Sequence, residues 1–318
     1  MPNMETSQNQ KILFAINPIS GDIDKNYLKE KIQAVFEDKH SEYEIFYTTG
    51  ENDVEKITTV LAKYSPDRVV SVGGDGTFRL VGEVMLNKDI PIAILPLGSA
   101  NGMATELGIP KNIDQALKVV TSTKKKSIDA LRINDQHISF HLSDIGLNAQ
   151  IIKRFENDDT RGFIGYAKHF FKELFTSKPN KYLMHIDGEK IIRKAHMIVL
   201  ANASKYGTGA VINPKGIIDD GKFEIILIRP YSAWHLFHMI IPFFSRTIHE
   251  LDYVDSYSCK KASIRNYKKK ELQIDGELIG RIEEISVEII PHALQILVPD
   301  QEAQSIFSRK LDSLFDKN

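Results

Sequence analysis

Strands that alternate with helices along the N-terminal third constrain the fold of this chain more than any other feature. Apolar runs that are typical of buried strands occupy residues 11–16, 43–48, 68–72 and 91–95. Apolar positions at helical spacing predict helices over 25–38, about 52–64 and about 78–87. This alternation favours an α/β domain, in which helices cover both faces of a parallel sheet. Ligands of such sheets bind beyond the carboxyl ends of the strands.

The pattern changes near residue 128, where short strands separated by turn residues take over. They are predicted at 128–134, 137–143, 181–187, 190–202, 222–229, 261–266, 271–275, 284–290 and 294–298. This pattern favours an all-β sandwich with helical inserts at roughly 161–176 and 232–245. The tail at 301–315 is predicted to be a closing helix. We therefore expect two domains, 1–128 with 300–318 packing back on it, and 129–299.

Composition narrows the partners and the compartment. The 318 residues carry a formal net charge of −1, so no global field attracts nucleic acid or an anionic membrane. The one cysteine, Cys259, allows no intrachain disulfide and fits a reducing, cytoplasmic compartment. The polar N-terminus lacks the apolar core of a signal peptide, and no apolar run is long enough to span a bilayer.

The strongest local signal is Gly73-Gly74-Asp75-Gly76-Thr77, directly after an apolar strand. Glycines let the backbone turn tightly and present amide N–H groups, and the next helix adds its positive N-terminal end. This combination predicts a phosphate-binding loop, in which Asp75 would hold Mg²⁺ or polarise an attacking hydroxyl. The alternative is a plain strand-to-helix turn. Neither the P-loop pattern nor a complete GxGxxG is present.

Two more loops follow strands of the same predicted sheet. Asn17-Pro18-Ile19-Ser20-Gly21 follows the first strand, and Pro96-Leu97-Gly98-Ser99-Ala100-Asn101-Gly102 follows the strand that ends at Leu95. Each offers a glycine, a hydroxyl and an amide side chain. Taken singly each is more often an ordinary turn, but three such loops at one sheet edge indicate a binding site.

The motifs NPxSG, GGDGT and PxGSxN, in this order and at these separations, resemble the diacylglycerol kinase catalytic domain. That superfamily includes bacterial lipid kinases, sphingosine kinases and ceramide kinases. The resemblance extends to a second β-sandwich domain with a late Asp-Gly-Glu. It implies an ATP- and Mg²⁺-dependent lipid kinase with a nucleotide-binding α/β domain and a lipid-substrate domain.

The resemblance also implies roles for matching positions. The expected nucleotide-contacting residues are Asn17, Pro18, Ser20, Gly21, Thr48, Gly73, Gly74, Asp75, Gly76, Thr77, Ser99 and Asn101. The stretch from Asp220 to Phe223 looks like the family's structural Mg²⁺ loop, with the Asp220 carboxylate and backbone carbonyls near Ile217 and Lys222 as ligands. A hairpin turn explains the composition of that stretch equally well.

The tetrapeptide Ile-Asp-Gly-Glu occurs twice, at 186–189 and at 274–277. Local sequence does not separate the two copies, because each is a good hairpin turn. The family places its active-site carboxylates on the late strand pair, which assigns Asp275 and Glu277 to the site and leaves Asp187 and Glu189 in a solvated turn. Glu277 is the expected general base, with Asp75 as its rival.

The chain departs from the family pattern in two places. Bacterial diacylglycerol kinases usually carry Asn-Glu shortly after GGDGT, where this chain has Phe78-Arg79-Leu80-Val81. They also usually carry an aspartate at the position of Gly102. These departures support one alternative, a nucleotide- or lipid-binding regulator that has lost catalysis. The other alternative is an NAD kinase-like enzyme, which shares the glycine loop but usually carries Asn-Glu as well.

The expected partners are a lipid alcohol substrate and, transiently, the inner face of a membrane, with no nucleic acid. The sequence leaves open whether the chain forms a homodimer.

Overall fold

The computed structural model describes residues 10–21, 24–36, 41–146, 177–206 and 211–300. The described residues form two compact units. The first lies within Met1–Gly98, Leu107–Ser127 and Leu294–Asn318, and the second within Ser99–Glu106 and Ile128–Ala293. Ser99–Glu106 thus belongs to the second unit, although the sequence prediction placed it in the first domain. The helices expected at 161–176 and 301–315 lie outside the described residues.

The first unit contains a parallel sheet. Its strands are β1 (Lys11–Ile16), β2 (Glu42–Tyr47), β3 (Arg68–Gly73) and β4 (Ile92–Pro96). The order β2-β1-β3-β4 follows from their pairing, and the final residues of a long C-terminal strand pair in parallel with β4. β3 and β4 are buried along their whole length, as the continuous apolar runs of a sheet covered on both faces predict.

The described residues between 25 and 120 contain five helices. They are α1 (Lys25–Phe36), α2 (Asp53–Tyr64), α3 (Asp75–Met85), α4 (Gly102–Glu106) and α5 (Ile113–Val120). All but α4, which is part of the second unit, belong to the first. Apolar residues of α1 and α5 share a core with β1, β3 and β4. The parallel α/β architecture predicted from the alternation of strands and helices is confirmed.

The second unit is an antiparallel sandwich. Its strands are β5 (Lys125–Ile133), β6 (His137–Ser139), β7 (Leu142–Ile145), β8 (Asn180–Ile186), β9 (Glu189–Ala195), β10 (Met197–Ala201), β11 (Phe223–Ile228), β12 (Val254–Cys259), β13 (Lys261–Asn266), β14 (Glu271–Ile274), β15 (Glu277–Arg281) and β16 (Glu284–Leu297). The first residues of β5 and the last residues of β16 belong to the first unit. One sheet has the order β16-β13-β8-β9, and β5 pairs with β16 and β6. The other has the order β12-β11-β10-β7-β14-β15.

Residues of both sheets meet in one apolar core, which confirms the predicted sandwich. The opposite face of the second sheet packs on Met239 of helix α6 (Ala233–Ser245) and on Ile248 of a short 3-10 helix. Burial raises the pKa of the Cys259 thiol in this core to about 12, so it stays protonated and unreactive. Within the described part of the chain, no helix combines the length and apolar character needed to cross a bilayer.

Candidate active site

The carboxyl edge of the first unit's sheet gathers the predicted loops. The β ladder continues into each loop by one hydrogen bond: the Asn17 amide donates to Val72 O (3.0 Å), the Thr48 amide to Ile16 O (2.9 Å), and the Leu97 amide to Gly73 O (2.9 Å). These bonds fix where each loop leaves its strand. The loops after β1, β2, β3 and β4 therefore emerge side by side, at the edge where parallel α/β sheets bind ligands.

The glycine-rich loop passes directly from β3 into α3. Gly74 is the N-cap residue, and its carbonyl accepts the Phe78 amide at 3.0 Å. The amides of the first helical turn have no carbonyl partner within the helix. A side chain at Gly74 would approach the Gly98 Cα to 3.2 Å and Ser20 Oγ to 4.0 Å. The loops after β1, β3 and β4 thus converge on the positive end of α3, which is the arrangement that binds phosphate.

The Thr77 hydroxyl is the polar group that this cradle leaves without a partner. Thr77 is 5% exposed, and its Oγ1 has no hydrogen bond to any described residue. Gly73 permits this packing, because a Cβ there would lie 2.2 Å from Thr77 Oγ1. A buried hydroxyl without a partner loses its hydration and gains nothing in return. An oxygen-bearing ligand in the cradle would supply the missing bond.

Backbone conformation shapes the loop after β1. The Ser20 amide donates to Asn17 O at 3.2 Å, and the Ile19 amide donates to the Asn17 side chain at 3.1 Å, which makes a tight turn. Gly21 has φ +68°, and a Cβ there would lie 2.4 Å from Leu97 O. Only glycine combines this φ with so close an approach. The turn leaves Ile19 90% exposed.

Thr48 is buried at the end of β2, and the next turn is organised by Asp53. The Asp53 carboxylate accepts the amides of Thr49 (2.9 Å) and Gly50 (2.7 Å) and the Thr49 hydroxyl (3.0 Å). Burial acts to raise the pKa of Asp53, but these hydrogen bonds and the charge of Lys56 outweigh it, so the pKa is lowered. Asp53 therefore stays ionised and holds the loop that carries Thr48.

Ser99 and Asn101 lie in the second unit, just before α4. Ser99 is exposed, whereas Asn101 is buried in the left-handed conformation (φ 52°), and its carbonyl accepts the Thr105 amide at 2.9 Å. The following Gly102 lies against the ring of His141. A Cβ at Gly102 would come within 2.5 Å of His141 Cε1 and 2.9 Å of Nε2. The imidazole thus fills the space that a side chain at this position would need.

Asp275 is held in the turn between β14 and β15. Its carboxylate accepts the Ser139 hydroxyl (2.7 Å) and the amides of Phe140 (2.7 Å) and His141 (3.1 Å), and the Ser143 hydroxyl donates to Ser139 Oγ at 2.9 Å. Burial raises the pKa of Asp275, and the hydrogen bonds and the nearby His141 only partly offset it. This carboxylate is anchored by its own unit, whereas Glu277, two residues later, is exposed.

The earlier Ile-Asp-Gly-Glu copy forms the same kind of turn. Its Asp187 is exposed and accepts the amides of Lys260 (3.1 Å) and Lys261 (2.9 Å). It therefore fastens a hairpin, as Asp275 does.

The predicted metal loop around Asp220 is closed by hydrogen bonds. Asp220 Oδ1 accepts the Lys222 amide at 3.0 Å. Asp129 is fully buried beside it, where its carboxylate accepts the amides of Gly221 and His292, both at 2.7 Å. Among the described residues, no group of three or more His, Cys, Asp or Glu side chains is placed to hold a metal ion.

Sequence reasoning missed three residues that shape these sites: Asp129, Ser139 and His141. His141 Nε2 is buried and has no hydrogen-bond partner among the described residues. All three act through contacts with residues that are distant in sequence. No local pattern around them signals their role.

Two family models match the chain in succession. Residues 11–133 match the diacylglycerol kinase catalytic domain. Residues 143–298 match the YegS C-terminal NAD kinase β-sandwich-like domain. The boundary between the matches falls where the sequence pattern changes from alternating strands and helices to short strands.

Solved structures share the fold. A putative diacylglycerol kinase from Bacillus anthracis is 20% identical with a TM-score of 0.76, and the match covers 92% of this chain and 98% of that one. An NAD kinase from Archaeoglobus fulgidus in complex with ATP is 14% identical with a TM-score of 0.54, covering 94% and 97%. At these identities the likeness establishes the fold alone.

Curated relatives are similar over most of their length. A probable lipid kinase YegS-like from Citrobacter koseri is 25% identical over 284 residues, which is 87% of this chain and 92% of the relative. A protein of the same description from Chromohalobacter salexigens is 27% identical over 247 residues, covering 74% and 77%. With its catalytic-domain match followed by its C-terminal-domain match, the chain belongs to the diacylglycerol kinase-like family of lipid kinases, phosphotransferases with an alcohol as acceptor.

Proposed function

We propose that this chain is an ATP-dependent kinase that transfers the γ-phosphate to a hydroxyl of a lipid such as a diacylglycerol or a sphingoid base. The observation that carries the proposal is the convergence of three loops on the N-terminus of α3, where Gly74 lies against Gly98 and Ser20. Such an end offers amide donors and a positive dipole to a polyphosphate. The ATP bound by the Archaeoglobus NAD kinase of the same fold supports a nucleotide as the ligand.

We assign each loop a different part of the nucleotide. The amides at the start of α3 would hold the phosphates, and Gly73, Gly74 and Gly76 keep side chains out of their way. The unpartnered Thr77 hydroxyl would donate to a phosphate oxygen. The turn from Asn17 to Gly21 and the buried Thr48 would flank the nucleotide on the neighbouring strands.

The acceptor chemistry needs a group that takes the proton of the lipid hydroxyl. Glu277 is our candidate for the general base, because it is an exposed carboxylic acid residue two positions after the anchored Asp275. Asp75, in the phosphate loop, is the alternative. Asp275 is engaged by Ser139 and two backbone amides, so it would position the turn that carries Glu277.

Asp220 is the carboxylate that we propose as a ligand of Mg²⁺. Asp220 keeps Oδ2 outside its turn hydrogen bond, so it fits an ion that takes its remaining ligands from water and from backbone carbonyls near Ile217 and Lys222. When bound with the nucleotide, Mg²⁺ would neutralise phosphate charge. Asp129 would keep the Asp220 loop in place by holding the Gly221 amide.

The proposed setting is cytoplasmic, with transient contact at the inner face of a membrane, where the lipid substrate resides and enters phospholipid metabolism.

The test is a transfer assay with Mg²⁺ and γ-labelled ATP. The acceptor panel contains diacylglycerols, monoacylglycerols, sphingoid bases, ceramides and NAD. A labelled lipid supports the proposal and names the substrate class. Labelled NADP would replace the lipid assignment with an NAD kinase-like activity, and bound ATP without any product would favour a regulator that has lost catalysis.

Variants then assign the residues. Glu277→Gln is expected to lower kcat by about 10² to 10⁴-fold if Glu277 is the general base, whereas Asp75→Asn is expected to do so if Asp75 takes that role. Glu189→Gln is the matched control, because Glu189 is exposed at the same position of the other Ile-Asp-Gly-Glu copy. Equal losses in Glu277→Gln and Glu189→Gln would contradict a catalytic role for Glu277.

A further inference from the structure

A surface pocket of about 450 Å³ in the second unit is rich in lysine. Its lining residues are Pro179, Asn180, Lys181, Lys194, Tyr267 and Lys268. Its volume is in the range of small-ligand sites, and none of the described residues that line it carries a carboxylate. None of these residues has a part in the proposed transfer chemistry.

The placement of two of these lysines opposes stability. Lys181 of β8 and Lys194 of β9 are direct cross-strand partners in the antiparallel ladder, and both are exposed. Like charges that face each other across a strand pair repel. A bound anion between the two strands would convert this repulsion into attraction.

Nearby acidic side chains do not neutralise the pocket. Among the described residues, Lys181, Lys194 and Lys268 form no ion pair. Glu283 lies beside the β13–β14 turn, since its carbonyl accepts the Asn266 amide at 2.7 Å, but its carboxylate already pairs with Arg265 (3.3 Å) and Lys269 (3.1 Å). The three ammonium groups of the pocket therefore keep their positive field for a ligand.

The pocket is held by a buried framework. Asn180 Nδ2 donates to Asn266 Oδ1 at 2.8 Å, and Asn266 Nδ2 donates to the carbonyls of Lys270 (2.8 Å) and Ile282 (2.9 Å). Asn180 and Asn266 are at most 1% exposed. Lys268 is tied across the pocket by its Nζ, which donates to Pro179 O at 3.3 Å. The lysines thus stand on a preformed base, which lowers the entropy cost of binding.

We propose that this lysine pocket binds a phosphate-bearing anion, such as the headgroup of an anionic phospholipid. Binding at this pocket is argued from the pocket alone, but its biological use rests on the proposed function. A headgroup bound here would bring a lipid kinase to the membrane surface that holds its substrate. Several clustered lysines attract an anionic surface in a salt-dependent way. A free phosphate compound offers the same chemistry, and the experiment separates the two sources.

The experiment measures binding of the full chain to vesicles without nucleotide. Vesicles of phosphatidylglycerol mixed with phosphatidylcholine are compared with pure phosphatidylcholine, at low and high salt. The pocket variant is Lys181→Gln/Lys194→Gln, and the control is Lys111→Gln/Lys190→Gln, which removes the same charge from exposed positions outside the pocket. Each pocket lysine is worth about fivefold in affinity, so the pocket variant is expected to bind roughly 30-fold more weakly.

A parallel titration with inorganic phosphate identifies the source of the anion. Loss of vesicle binding in the pocket variant alone, without measurable phosphate binding, supports a lipid headgroup. If the wild type binds inorganic phosphate and the pocket variant does not, the pocket is an anion site whose ligand is a soluble phosphate compound. The proposal is overturned if the two double variants lose binding equally, if the pocket variant keeps it, or if the wild type binds neither probe.

Unfolding measurements separate loss of binding from loss of fold. The pocket variant is expected to be at least as stable as the wild type, because it removes the repulsion between Lys181 and Lys194. Transfer activity toward a lipid presented in neutral detergent micelles is expected to persist in it. A chain with no transfer activity at all would refute the proposed function and still leave vesicle binding to be measured.

Discussion

The contact between Gly102 and His141 can be tested by a double-mutant cycle. A Cβ at Gly102 would lie 2.5, 2.9 and 3.0 Å from Cε1, Nε2 and Nδ1 of the imidazole, which is itself only 8% exposed. Gly102→Ala therefore forces the ring or α4 to move. Overpacking of this kind costs about 1–3 kcal/mol. Alanine in a helix also stabilises the fold by up to about 1 kcal/mol relative to glycine, because alanine loses less backbone entropy on folding.

The cycle isolates the steric part of this balance. In a His141→Ala background the added methyl group has room, so Gly102→Ala is expected to be neutral or stabilising there. The coupling free energy between the two substitutions should therefore be about 1–3 kcal/mol. Urea unfolding of the wild type, both single variants and the double variant measures it.

Gly76→Ala is the matched control for the glycine substitution. Gly76 is also a helical glycine near a helix N-terminus, but nothing lies within 4 Å of a Cβ built there. Its replacement is expected to raise the free energy of unfolding by up to about 1 kcal/mol. A coupling between Gly102 and His141 below about 0.5 kcal/mol, the usual error of additivity, would refute the close approach.

Three further predictions concern the first unit. Gly21→Ala is expected to lower the free energy of unfolding by about 1–3 kcal/mol more than Gly50→Ala. Both glycines have positive φ, but only a Cβ at position 21 would collide with Leu97 O. Urea unfolding of the two variants measures the difference. Asp53→Asn is expected to cost about 1–3 kcal/mol at neutral pH. Because the folded pKa of Asp53 is lowered, this difference should vanish in unfolding curves as the pH falls through that pKa. Thr77→Val is expected to leave stability nearly unchanged, since its hydroxyl has no partner, yet to weaken ATP binding in calorimetry; a stability loss without a binding loss would contradict the assigned role.

The parallel sheet of the first unit was predictable because its signal is local. Each strand is a continuous apolar run, and each connecting helix repeats its apolar residues at helical spacing. The ends of strands were less predictable. The run 190–202 was predicted as one strand, but the chain divides at His196 into β9 and β10, which lie in different sheets. Apolar periodicity does not record which sheet a strand joins.

The opposite error occurs at the C-terminal strand. Two strands were predicted here, at 284–290 and 294–298, and Pro291 falls between them, where proline removes a donor from a strand. The structure has one strand, β16, which passes through Pro291, with the next residue, His292, at φ 51°. The His292 amide donates to the buried Asp129 carboxylate instead of to a neighbouring strand. The amide that this irregularity leaves without a strand partner is thus satisfied by a residue 163 positions away, which no local pattern could reveal.

The departure at Gly102 acquires a physical reason in the same way. The family pattern has an aspartate there, and sequence alone shows only that a side chain is missing. The structure places the ring of His141 in the space of that side chain. The two residues are separated by 39 positions in sequence (141 − 102), so their mutual fit is a product of the fold. Glycine at position 102 and histidine at position 141 are therefore best regarded as one structural unit.

The two Ile-Asp-Gly-Glu copies show why chemistry is harder to predict than backbone shape. Both copies form turns with nearly identical dihedral angles, φ 46° and 92° in the first and 48° and 92° in the second, because Asp-Gly is well suited to such a turn. Both aspartates accept two consecutive backbone amides. Only Asp275 also accepts the Ser139 hydroxyl, and burial raises its pKa. The tetrapeptide thus determines the turn. Residues that the fold brings in from about 135 positions away determine whether the aspartate carboxylate is solvated or embedded in a polar network.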